Sequence, residues 1–224
     1  MTSTSDIPAD QEEATSGKRR LLVLAIAGVL IGLLAGWLTI GFLTGDLNFG
    51  PYEYRGIVMP APAAPGDFAL TAQDGNDVRL SDFRDNIVLI YFGYTYCPDV
   101  CPTTLSTFAQ TLDELKPEEK EQVQLLMVSV DPERDTPQVL ADYLGHFDPS
   151  FLGLTGTEKE ISAAAEPFGI FYQKGPGTVE SGYLVDHTAT VSVLDKEGRL
   201  RLLFPFATPA EDIAADLRHM LREE

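Results

Sequence analysis

The stretch NIVLIYFGYTYCPDVCPTTLSTFAQTLDELK, residues 86–116, joins three kinds of local structure in one run. Its opening, NIVLIYFGY, is almost continuously apolar and rich in Ile, Val and aromatic residues, as expected of a strand buried on both faces of a parallel or mixed sheet. Its final part repeats apolar residues at helical spacing, Leu105, Phe108, Leu112 and Leu115, and stops at Pro117, which cannot continue a helix. Between them lie the only two cysteines of the chain, Cys97 and Cys101. The pattern predicts a strand, a cysteine turn, and a helix with Cys101 at or just inside its N-terminus.

The flanking sequence continues the alternation. Upstream, FALTAQDGNDVRL reads as a hairpin turning at Asp74-Gly75. Downstream, VQLLMVSV is a buried strand, TPQVLADYLGHF a helix, FLGLTG a short strand, and EKEISAAAEPFGIFY a helix interrupted or ended near Pro167. TATVSVLD and RLLFPF form a late hairpin about Lys196-Glu197-Gly198. TPAEDIAADLRHMLREE closes the chain as a helix, with Thr208 as N-cap, Pro209 at the first helical position and Glu211 completing a capping box. A parallel crossover followed by an antiparallel hairpin predicts an α/β, thioredoxin-like domain over residues 67–224, a central mixed sheet flanked by helices.

Residues 21–43, LLVLAIAGVLIGLLAGWLTIGFL, carry no charge. At about 1.5 Å per residue they span the roughly 30 Å of a hydrocarbon core, and read as a single transmembrane helix. Lys18, Arg19 and Arg20 precede the run and Asp46 is the first charge after it, so the N-terminus is expected in the cytoplasm and the domain outside. Asp6, Asp10, Glu12 and Glu13 argue against an organellar transit peptide, leaving a bacterial inner membrane with a periplasmic domain as the simplest setting. Residues 1–20 are expected to be a disordered cytoplasmic tail, and residues 44–66, with Pro51, Pro60, Pro62 and Pro65, an extended linker. The formal charge of −18 excludes nucleic acid as a partner, because phosphate contacts need clustered Lys and Arg.

The chemistry is concentrated in the cysteine turn. Three residues separate the cysteines, where a thioredoxin-type redox motif has two. A helix N-terminus favours thiolate, so the placement predicts lowered thiol pKa values. Four positions apart on a first helical turn, the two sulfurs face one side and can bind one ion or form a disulfide. His187, in GYLVDHTAT, precedes the late strand whose entry faces the cysteine turn in a thioredoxin-like sheet. Two sulfurs and one imidazole in a three-coordinate site suit Cu(I), whereas structural zinc wants a fourth ligand that the sequence does not clearly offer. A structural disulfide is the competing reading of the pair. Asp186 either orients the imidazole or is a solvated carboxylate. His146 and His219 fall in helices and are read as packing or surface residues. The run SVDPERDTP is read as a capped, internally paired turn, not a cation loop.

GYTYCPDVCP, SVDPERDTP and VDHTA, in that order and at these separations, resemble the Sco/SenC family of membrane-anchored copper proteins. The resemblance implies a thioredoxin-like domain that binds one copper ion, as Cu(I) with Cu(II) also allowed, and helps assemble the dinuclear copper centre of cytochrome c oxidase subunit II. By match to the motif, Cys97, Cys101 and His187 are the metal ligands. Implied partners are subunit II and a periplasmic copper donor or thiol reductant. The same two cysteines also allow a thiol-disulfide reductase that keeps the oxidase cysteines reduced, in which Cys97 and Cys101 are the redox pair.

Overall fold

The computed structural model describes residues 10–43, 51–180 and 182–223. The chain divides into two units after Tyr52. The first contains α1 (Asp10–Leu43), whose segment Arg20–Gly41 is long and apolar enough to cross a membrane, with a mean hydropathy of 2.6. Thr39 satisfies its hydroxyl within the helix by donating to the Ala35 carbonyl at 2.6 Å, the usual device in a medium without water. The expected disordered tail is corrected in part: α1 already begins at Asp10, and residues 1–9 lie outside the described residues. Once a long helix exists, each further residue adds a hydrogen bond without a new nucleation cost, so good helix formers such as Gln11 to Ala14 prolong it.

The second unit contains β1 (Ile57–Val58), β2 (Ala69–Ala72), β3 (Asp77–Arg79), β4 (Ile87–Gly93), α2 (Val100–Glu114), α3 (Pro117–Lys120), β5 (Val123–Ser129), α4 (Pro137–Leu144), β6 (Leu152–Thr155), α5 (Glu158–Ala165), β7 (Tyr172–Lys174), β8 (Val185–His187), β9 (Val191–Leu194), β10 (Leu200–Phe204) and α6 (Ala210–Glu223). Eight strands form one mixed sheet in the order β1-β10-β9-β4-β5-β6-β2-β3, with β4, β5 and β6 parallel and the remaining neighbours antiparallel. All seven residues of β4 are buried, as a central strand covered on both faces requires. This is the thioredoxin-like arrangement of a mixed sheet flanked by helices.

Local chemistry sets the element ends. Lys116 is extended (φ −68°, ψ 156°), as the ring of Pro117 demands of the preceding residue, so α2 cannot run on into α3. Thr136 caps α4 by accepting the Val139 N–H, and Thr157 with Glu160 forms a capping box on α5. The box expected at α6 does not form around Thr208, whose hydroxyl donates back to the Pro205 carbonyl at 2.8 Å.

The Pro-rich linker also needs correction. Residues 44–50 lie outside the described residues, but the compact unit begins at Glu53, not near Asp67. The buried Asp216 carboxylate accepts the Arg55 N–H at 2.9 Å and the Gly56 N–H at 2.8 Å. β1 then pairs with β10, and Leu200 N–H donates to Ala63. Buried backbone groups need partners, and here a remote helix supplies them to a stretch whose composition alone reads as spacer.

Candidate metal centre

β4 carries the chain into the turn. Thr95, two residues before Cys97, is pinned by the buried Asp135, which accepts its N–H at 3.0 Å and its hydroxyl at 2.6 Å and also takes the Ser129 hydroxyl at 2.6 Å. The Cys97 N–H donates to the Tyr94 carbonyl at 3.3 Å. Cys101 is the second residue of α2, and its N–H donates to Cys97 Sγ at 3.4 Å. Asp99, at the N-cap position, makes no side-chain cap, so a sulfur takes the place that a capping oxygen usually fills.

His187 arrives from the other end of the chain. β9 is antiparallel to β4, with Val191 opposite Tyr91, so the segment entering β9 lies at the end of β4 that leads to the cysteines. His187 Nε2 stands 3.3 Å from Cys101 Sγ, and the sulfurs and a His187 ring nitrogen all lie within 4.8 Å of one another. A three-coordinate ion with bonds of about 2.0–2.3 Å separates its ligands by roughly 3.5–4 Å. The three donors therefore fit one soft metal ion after a closure of about 1 Å or less. His187 Nδ1 lies 3.2 Å from the Thr188 carbonyl, and the tautomer that carries its proton on Nδ1 donates that bond and turns an Nε2 lone pair toward the sulfurs. Asp186 is exposed, and the imidazole finds the Thr188 carbonyl, not that carboxylate, at hydrogen-bond distance. Burial pushes the His187 pKa below its ordinary value, against the carbonyls of Thr188 and Phe92.

The expected low thiol pKa is corrected at Cys101. Its side chain is fully buried, and burial pushes the thiol up to about 12 although Tyr91 and Tyr94 offset part of the effect. Desolvation outweighs the helix terminus, and a cation held by the two sulfurs and the imidazole would favour the thiolate form of Cys101. Cys97 is half-buried, so the site has a sealed sulfur and an approachable one; both are free thiols.

Three residues missed in the sequence shape this pocket. The Tyr91 phenol donates to Cys101 Sγ at 3.3 Å, and the Tyr91 and Tyr94 rings meet the His187 ring edge-on at 6.0 and 5.8 Å. Gly93 leaves the space that the sulfur occupies, since a Cβ there lies 2.7 Å from the Tyr91 ring and 3.1 Å from Cys101 Sγ. A lone glycine inside a run of Ile, Val and aromatics was the available signal, because glycine in a strand often marks a close approach. The paired reading of SVDPERDTP agrees with the ion pair between Arg134 and Asp131. His146 bonds the Asp142 carbonyl and His219 pairs with Glu223 at 3.2 Å, so neither joins the centre.

The SCO1/SenC family model matches residues 59–222. The chain is 35% identical over 221 residues to the mitochondrial SCO2 homologue of Bos taurus, covering 95% of this chain and 81% of the relative. Among solved structures, apo Sco1 from Thermus thermophilus superposes with a TM-score of 0.69 at 46% identity, covering 75% of this chain and 98% of that one. Bradyrhizobium japonicum ScoI, solved with copper bound, gives 0.65 at 38% identity, covering 70% and 99%. A family model spanning most of the chain and a relative matched along nearly all of it lead to one conclusion: the chain belongs to the SCO1/SenC family.

Proposed function

We propose that the protein is a membrane-anchored copper chaperone, in which Cys97, Cys101 and His187 hold Cu(I) and deliver it to the dinuclear copper centre of cytochrome c oxidase subunit II. The observation that carries this reading is the convergence of two sulfurs and one imidazole nitrogen within 4.8 Å at the mouth of a turn. Copper bound to the Bradyrhizobium relative supports the choice of metal. The exported unit acts in the periplasm, and α1 anchors it in the inner membrane with the N-terminus in the cytoplasm. Cu(II) is a second state that the imidazole nitrogen helps accommodate.

The asymmetry of the pair accounts for transfer. Cys101, buried against Tyr91 and Gly93, is the fixed donor. Cys97, half-buried at the surface, is the donor that an incoming acceptor thiolate reaches and replaces. A three-ligand shell leaves room for the newcomer to add before Cys97 departs. The neutral His187 ring adds a donor without adding charge.

The same asymmetry favours a second reading, a thiol-disulfide reductase. The Cys97 thiolate attacks an oxidised acceptor disulfide, expelling one acceptor thiolate and forming a mixed disulfide; Cys101, after losing its proton, then attacks Cys97 Sγ and releases the acceptor as a dithiol. Two electrons pass from the cysteine pair, which ends as a disulfide. Copper analysis of the full chain in detergent, with His187→Ala alongside, tests the first reading: stoichiometric Cu(I) weakened by the substitution is expected, and unchanged affinity removes His187 from the site. Reduction of an oxidised subunit II fragment, lost in Cys97→Ser, is the outcome the second reading requires.

A further inference from the structure

The third donor stands on structure that the main sheet does not hold. Among the described residues, β7 and β8 pair only with each other, Tyr172 opposite His187 and Lys174 opposite Val185, while the cysteines belong to the turn and helix that leave β4. A buried polar cluster fastens this ribbon to the turn after β5. The Tyr183 phenol donates to Asp131 Oδ1 at 2.6 Å, Arg134 Nη1 donates to the Tyr183 carbonyl at 3.0 Å, and Arg134 Nε donates to Asp131 Oδ2. The guanidinium lies 3.7 Å from the centre of the Tyr183 ring. All three residues are at least nine-tenths buried. Outside them, Lys174 pairs with Glu133 at 2.6 Å. The Val185 N–H donates to the Tyr94 phenol at 3.2 Å, so the ribbon meets the cysteine side of the fold there as well.

A buried ion pair contributes little net stability, because desolvation offsets its attraction; its better-attested effect is to select one geometry. The geometry at stake here is the 3.3 Å approach of His187 to Cys101, four residues beyond Tyr183. A site of this kind loses function when its supporting groups let a donor drift by about 1 Å. We infer that Asp131, Arg134 and Tyr183 are positioning residues that hold His187 in register with the two cysteine sulfurs. The inference rests on the copper-site reading and adds to it residues of the SVDPERDTP run that are not themselves donors.

The test is a double-mutant cycle on the full chain in detergent, comparing wild type, Tyr183→Phe, His187→Ala and the double variant. Cu(I) affinity is read by competition with a chromophoric chelator, and amide hydrogen exchange is read on the metal-free protein. Tyr183→Phe is expected to weaken Cu(I) binding about 10-fold, the scale seen when groups supporting a metal ligand are removed, and to have no further effect once His187 is Ala. Exchange of the Val185 and Thr188 amides rises in Tyr183→Phe while that of β4 does not. Asp131→Asn, which keeps the side-chain shape, is expected to give the same pattern and carries the test should Tyr183→Phe fail to fold. An equal loss of affinity in both backgrounds, or unchanged exchange at 185 and 188, overturns the inference. A wild-type chain that binds no copper defeats the copper reading instead, and the exchange measurement still decides whether the cluster holds the ribbon.

Discussion

Replacing Gly93 by Ala adds one methyl group where the protein has no room for it. The new Cβ lies 2.7 Å from Tyr91 Cε1 and 3.1 Å from Cys101 Sγ, whereas carbon atoms make favourable contact at about 3.5–4.0 Å. Roughly 1 Å of relief is needed toward the ring. Neither neighbour yields cheaply. Tyr91 and Cys101 are both fully buried, the phenol is tied to the sulfur at 3.3 Å, and Gly93 itself is held in the ladder opposite Ser129. Overpacking of this kind costs about 1–3 kcal/mol. For a domain of this size each kcal/mol lowers Tm by about 2–4 °C, so a fall of about 2–12 °C is expected. The relief also displaces Cys101 Sγ from its place beside Cys97 and His187, and Cu(I) affinity is expected to drop about 10-fold or more. Thermal unfolding of the metal-free chain and a Cu(I) competition titration measure the two effects separately. Wild-type values in both would refute the reasoning, because the methyl would then have been accommodated without moving the sulfur.

Asp216→Ala tests whether the segment after Glu53 belongs to the fold. It leaves the buried Gly56 N–H without its carboxylate, at about 1–3 kcal/mol, and the part-buried Arg55 N–H with it, so denaturant unfolding is expected to show a loss of at least about 1–3 kcal/mol; an unchanged midpoint would return that segment to the linker. At Asp148, burial pushes the carboxyl up, but hydrogen bonds from Ser150 and Lys120 prevail and hold it below its ordinary value. A depressed carboxylate contributes stability above the unfolded pKa of about 3.9 that is lost as pH falls through the folded value. Asp148→Asn should therefore destabilise the protein at pH 7 and lessen its dependence on acidification, as urea unfolding at pH 7 and near pH 3 would reveal; a steeper acid dependence contradicts the sign.

Much of the fold is legible because it is local. The all-buried β4 and the helical stripe of α2 follow from neighbouring residues. β7 and β8 are three residues each and separated by a Gly- and Pro-containing loop, so they offer no periodicity to read. The linker was over-extended for a similar reason. Proline favours a free spacer and an edge segment alike, and partners far along the chain, Asp216 and β10, distinguish them. At the site, the donor types were readable but their setting was not. A cysteine at a helix start predicts a low pKa, and only the packing of β4 against α2 reveals that Cys101 is sealed enough for burial to win.

By itself, the sequence determined the longer strands and helices of the central sheet, that one segment suits a membrane, and that two sulfurs and an imidazole are available for a soft metal. These depend on periodicity, composition and side-chain chemistry, which are properties of residues near one another in the chain. Tertiary structure alone decided that His187 reaches within 3.3 Å of Cys101, that Tyr91 and Gly93 shape the pocket, and that Asp131, Arg134 and Tyr183 bond one another where the ribbon carrying His187 meets the turn after β5. Distance and desolvation arise only when remote segments pack, here through the antiparallel pairing of β9 with β4 that returns the end of the chain to the cysteine turn.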